Sequence, residues 1–140
     1  MLKLGGYINI LIAIMHVVGL LWADKMFEVT GIAEDMAETA QVHASLPYVI
    51  TIVVAIAFFI FGLYGLSASN QIRPLPLLKP AIFIIAGIYL IRGFGELIFY
   101  LQKQKASDFL ENLYSLIAIG IGLLFLIGGL KKWILNKKRK

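Results

Sequence analysis

The apolar residues of this chain come in long runs. Four stretches each carry about 20 mainly apolar residues, the length a helix rising about 1.5 Å per residue needs to cross a hydrocarbon core about 30 Å thick. They run from about Leu4 to Trp22, Leu46 to Leu66, Pro80 to Leu101, and Leu113 to Leu130 with an extension to Leu135. Lipid offers no hydrogen bonds to the backbone, so a spanning segment is either a helix or a strand of a closed barrel. Barrel strands are about 10 residues long and alternate apolar with polar positions. Runs such as IVVAIAFFIFGL have no alternation. Pro47 and Pro80 fall near the starts of the second and third stretches, where a missing N–H costs nothing.

The predicted fold is all-α: a single polytopic domain, residues 1–140, with four transmembrane helices in an up-down-up-down bundle, the simplest arrangement for short connections. The first stretch is too long for the apolar region of a signal peptide, contains Asn9 and His16, and precedes no A-x-A site, so it is read as a retained helix. The connection from Ala23 to Ser45 is the long one. From Ala33 onward it has helix-forming content, and it suits an acidic amphipathic lid with Met26, Phe27, Ile32 and Met36 on the lower side.

Composition agrees with this picture and narrows it. Of 140 residues 60% are hydrophobic and 15% charged, against about 45–50% apolar and about 25% charged in soluble domains. With no cysteine, thiol chemistry, a disulfide framework and Cys-ligated metals are excluded. The net charge of +5 is the sum of two unlike faces. Lys3, Arg73, Lys79, Lys131, Lys132, Lys137, Lys138, Arg139 and Lys140 fall on one side of the predicted bundle, with no acidic residue. Lys25, Lys103 and Lys105 fall on the other, with seven Asp and Glu. Because Lys and Arg in short loops are retained in the cytoplasm, both termini are expected to be cytoplasmic in a bacterial inner membrane. The basic residues cap helices and form no soluble patch, which argues against nucleic acid.

Three ionisable residues interrupt the apolar stretches: His16, Arg92 and Glu96. Such groups are expensive in lipid and face a bundle interior or a water-filled cavity. Counted from the cytoplasmic ends, His16 and Arg92 lie roughly 18 Å deep and Glu96 roughly 24 Å. Tyr89, Arg92, Gly93, Glu96 and Tyr100 recur at three- and four-residue spacing on one helix face. Asn9, Ala13, His16 and Gly19 make a comparable face on the first helix. Tyr48 and Thr51 on the second helix, and Asn112, Tyr114 and Ser115 on the fourth, belong to the same half of the membrane. The pattern suggests an outward-facing polar pocket with aromatic walls. His16, Arg92, Glu96 and Thr51 would be its polar groups, and Tyr89, Tyr100 and Trp22 its walls.

A pocket of this kind suits a small amphiphilic, quinone-like ligand. A second reading is a proton- or ion-coupled transporter acting as an oligomer, since intramembrane carboxylates and histidines mark such pathways. A third is a scaffold subunit of a membrane complex, in which Arg92–Glu96 serves only to specify packing. Haem needs axial ligands, but His43 is expected above the outer boundary and no second histidine lies within the membrane. No metal site is predicted, and no catalytic constellation is present, so catalysis by this chain is the least favoured class.

The stretches MHVVGLLWADKMF and GLYGLSASNQIRPLPLLKPAIFIIAGIYLIRGF resemble the small bacterial DoxX-like membrane proteins over about the first hundred residues. In that group a polar residue and a glycine on the first helix precede an aromatic and a lysine in an outer loop. The resemblance implies a four-helix bundle and, in some members, association with quinone-linked redox complexes.

Overall fold

A computed structural model describes residues 1–103 and 109–135, without the side chains of residues 99–103 and 111. Lys105, Asp108, Lys137, Lys138, Arg139 and Lys140, and the side chains of Tyr100, Lys103 and Glu111, therefore lie outside the described residues. Every regular element of the described chain is helical: α1 (Leu2–Gly19), a 3-10 turn (Leu20–Trp22), α2 (Ala23–Thr30), α3 (Ala33–Val42), α4 (Leu46–Ala68), α5 (Leu78–Lys103), α6 (Phe109–Leu130) and a wide π-type turn (Lys131–Leu135). Four spans are long and apolar enough to cross a membrane: Leu2–Thr30, Leu46–Ala68, Leu78–Ile98 and Asn112–Leu135. The protein is an all-α membrane protein of the four-helix-bundle class.

Only 22–39% of each apolar stretch is buried within the protein, and Leu11, Met15, Val53, Ile84, Ile91 and Leu116 are among many large apolar side chains left exposed. Water would penalise such a surface at about 25 cal/mol per Å²; lipid does not.

The helix ends differ from those read in the sequence. The first helix does not stop at Trp22. It tightens into one 3-10 turn and continues to Thr30, where Gly31 takes the left-handed conformation (φ 77°) and closes it. The Gly31 N–H donates to Glu28 O and the Ile32 N–H to Phe27 O, the paired bonds of a Schellman cap. The expected connector from Ala23 to Ser45 is thus mostly two helices, and of its predicted lower face Phe27 is buried while Met26, Ile32 and Met36 are half-buried. The third span begins at Leu78, ahead of Pro80, because the first turn has free N–H groups and tolerates proline. The fourth begins at Phe109, ahead of Leu113. Its first turn contains Glu111, which hides it from a purely apolar reading and suits a helix N-terminus.

The chain divides into two compact units. Unit 1 comprises Met1–Tyr7 and Leu63–Lys140, unit 2 Ile8–Gly62. In unit 1, α5 and α6 pack against each other around Ile82, Ile85, Ala86, Tyr89, Ala118, Ile121 and the fully buried Phe125. The start of α1 meets the end of α4 backbone to backbone: a Cβ on Gly65 would lie 2.7 Å from Gly6 Cα and 3.0 Å from Leu2 O. The end of α4 is closed by a second Schellman cap, with Asn70 left-handed (φ 60°), Asn70 N–H donating to Ser67 O and Gln71 N–H to Leu66 O. The connection that follows is pinned by Ser67, whose hydroxyl donates to Arg73 O at 3.0 Å and accepts from Leu75 N–H at 2.9 Å. In unit 2, Ala13, Ala23, Phe27 and Ala55 are buried together with the polar Asn9 and Thr51.

Candidate functional site

Arg92 and Glu96 sit one turn apart on α5, in unit 1. Arg92 Nη2 lies 3.4 Å from Glu96 Oε1. The other carboxylate oxygen, Oε2, accepts a 2.9 Å hydrogen bond from the Ser115 hydroxyl on α6. Each oxygen of Glu96 therefore has a different partner, one cationic and one neutral. Ser115 is fully buried. It reaches Glu96 because the helices touch at Gly93, where a Cβ would lie 2.5 Å from Ile119 Cγ1 and 2.8 Å from Ser115 O. Gly93 therefore brings the hydroxyl within range of the carboxylate.

The two charged side chains are unequally covered. Glu96 is 36% exposed and Arg92 60%. A guanidinium has five N–H donors and no acceptor, and the ion pair to Glu96 is made through Nη2 alone. Tyr89, one turn before Arg92, is buried against α6. The expected face of α5 is thus present, with Tyr89, Gly93 and Glu96 turned toward α6 and Arg92 at its margin. Tyr100 is helical, but its side chain lies outside the described residues.

His16, Trp22 and Thr51 belong to unit 2. His16 Nδ1 is 2.8 Å from Ile12 O. A carbonyl can only accept, so Nδ1 is the donor in this contact. The ring lies 5.3 Å from that of Phe58, tilted by 45°. Thr51 is buried, and its hydroxyl donates to Pro47 O one turn back, at 2.8 Å. Trp22 is 67% exposed and borders an open surface depression with Leu21, Asp24, Lys25 and Tyr48. Within that unit Trp22 walls a surface depression, and the hydroxyl of Thr51 is taken by its own helix.

From the sequence, Ser115 is expected in the same half of the membrane as Arg92 and Glu96 and is not counted among the site residues; the contact with Glu96 adds it. Its signal is a small polar residue on the neighbouring antiparallel helix, beside a glycine-sized gap. The His16–Phe58 contact had no sequence signal, because aromatic residues are spread along the whole second span. Among the described residues no group of three or more His, Asp or Glu side chains is placed to hold a metal ion. The chain matches no family model, no curated protein and no solved structure.

Proposed function

We propose that this is a bacterial inner-membrane protein with both termini cytoplasmic that binds a small amphiphilic ligand with a hydrogen-bond-accepting head, a quinone being the best-fitting chemistry, at Arg92 and Glu96. One observation carries the reading: an arginine within a membrane span whose side chain is 60% exposed and whose ion pair, among the described residues, is to one oxygen of a glutamate on its own helix. An exposed charge in hydrocarbon is costly, and lipid tails offer it nothing. A ligand carbonyl at Arg92 would supply acceptors for the remaining donors, while its apolar body lies against the exposed Ile88, Ile91 and Phe94. Ser115 and Gly93 would hold Glu96, and Glu96 would hold the guanidinium. The DoxX-like resemblance and the quinone chemistry agree on a redox-associated subunit as the setting, with catalysis residing elsewhere.

The experiment is a ligand-retention series. Wild type, Arg92→Gln, Glu96→Gln and His16→Ala are purified in mild detergent, their bound lipids are extracted, and their melting temperatures are measured with and without added quinone. Glu96→Gln keeps an oxygen for the Ser115 hydroxyl and removes only the charge. Losing one charge-assisted hydrogen bond, worth about 1.5–3 kcal/mol, should weaken retention about ten- to hundredfold in Arg92→Gln. A wild type that carries no ligand and is stabilised by no quinone would sink the proposal.

A further inference from the structure

We infer that the end of unit 1 carrying Lys3, Arg73, Lys79 and Lys131 is a binding surface for anionic phospholipid headgroups, and that Lys132 beside them is a structural cation outside that surface.

The contacts that gather this end are specific. Leu2 packs on Gly128, where a Cβ would lie 2.7 Å from Leu2 Cγ, and this sets Lys3 beside the end of α6. Gly129 faces Ile82 and Phe83 of the first turns of α5, just above Lys79. Lys132 Nζ donates to Ala68 O and Asn70 Oδ1, tying Lys131 and its neighbours to the end of α4 and to the connection that holds Arg73. Lys3, Arg73, Lys79 and Lys131 are all exposed. The segments that form this end, residues 1–7, 63–83 and 128–135, contain no Asp or Glu. Among the described residues none of these four cations has a carboxylate partner; Lys3 only overlies the Tyr7 ring at 5.9 Å. Lys132 differs, because its ammonium is spent on the last carbonyl of α4 and on the Asn70 side chain.

The ends of spanning helices lie at headgroup level. Aromatic rings mark that level in membrane proteins, and here the half-buried Trp133 ring sits between Lys132 Nζ at 5.4 Å and the Phe83 ring at 6.3 Å. Unpaired cations at this height meet phosphodiesters first, and each gains binding from an anionic bilayer surface.

Trp133 also supplies the probe, since the chain has two tryptophans. The full chain carrying Trp22→Phe, which leaves Trp133 alone, is placed in bilayers mixing phosphatidylglycerol with phosphatidylcholine. Either lipid is brominated in turn, because bromine quenches a tryptophan it touches. The expected result is a preference for phosphatidylglycerol of about fivefold or more, the effect of one juxtamembrane cation. The preference falls to near unity in Lys3→Gln/Lys79→Gln/Lys131→Gln and, because the Debye length shrinks from about 10 Å at 0.1 M salt to about 3 Å at 1 M, also at high salt. If the triple variant does not fold, the salt titration of the Trp22→Phe protein decides alone. Arg92→Gln leaves the preference unchanged, which separates this surface from the ligand site. Equal quenching by the two lipids, a preference that survives both charge removal and salt, or one abolished by inorganic phosphate at matched ionic strength would overturn the inference; the last would mean a small-anion site.

Discussion

Lys132 shows how a single charge can be structural in a protein whose charges are few. The last carbonyls of a helix have no partners of their own, and at the end of α4 the Lys132 ammonium supplies one from the turn that follows α6, across 64 positions of sequence. Asn70 adds its side-chain oxygen to the same ammonium at 3.1 Å. Lys132→Met keeps the length of the side chain and removes the donor. It is expected to lower stability by about 1.5–3 kcal/mol, the usual worth of a hydrogen bond to a charged group, whereas Lys131→Met, at an exposed position, should change it by less than about 0.5 kcal/mol. Unfolding titrations of the two variants in the same detergent make the comparison, and equal losses would contradict this assignment. From sequence alone the two lysines are interchangeable, since both read as basic residues that anchor topology. Only the position of Ala68 O separates them.

At the scale of helices, glycine sorts contact faces from lipid faces. A Cβ on Gly65 meets the backbone of Gly6 and Leu2, and one on Gly93 meets Ser115 O and the Ile119 side chain. Backbone cannot step aside as a flexible side chain can. Gly65→Ala and Gly93→Ala should therefore each cost about 1–3 kcal/mol, the usual range for overpacking. Gly87 and Gly95 lie on the same helix as Gly93, yet a Cβ on either would meet nothing within 4 Å. Gly87→Ala and Gly95→Ala should be neutral or slightly stabilising, since alanine is the better helix former by about 1 kcal/mol. Thermal unfolding in detergent of all four variants checks the order. The spans themselves were legible as apolar runs, but their ends were less so. Hydropathy and proline by themselves end the first helix at Trp22 and begin the third at Pro80. Backbone ends decide otherwise: Gly31 closes the first, and the first turn of α5, whose N–H groups have no partner within the helix, accommodates Pro80.

For the whole molecule, the basic residues that gather at one end of unit 1 are also those expected to stay cytoplasmic. A chain without cysteine allows a direct test. Ser69→Cys, beside the α4 cap, should be protected from a membrane-impermeant thiol reagent in intact cells and labelled after lysis. Asp35→Cys, on the exposed side of α3, should be labelled in intact cells. The reverse pattern would invert the topology and move the Arg92 site to the other half of the bilayer.

The sequence by itself determined the class and the number of spans, because hydrocarbon thickness sets the length of an apolar run and backbone hydrogen bonding in lipid forces it into a helix. It also placed Arg92 and Glu96 one turn apart, since helical spacing is a local property. The tertiary structure decided what those charges touch. Glu96 divides its oxygens between Arg92 and Ser115, Arg92 stands at the margin of the α5–α6 contact with its side chain mostly exposed, and Thr51 satisfies its hydroxyl within its own helix. Which residue meets which depends on the rotation and closeness of neighbouring helices. Those are fixed by contacts such as Gly93 on Ser115, distant in sequence and a few ångströms apart in space.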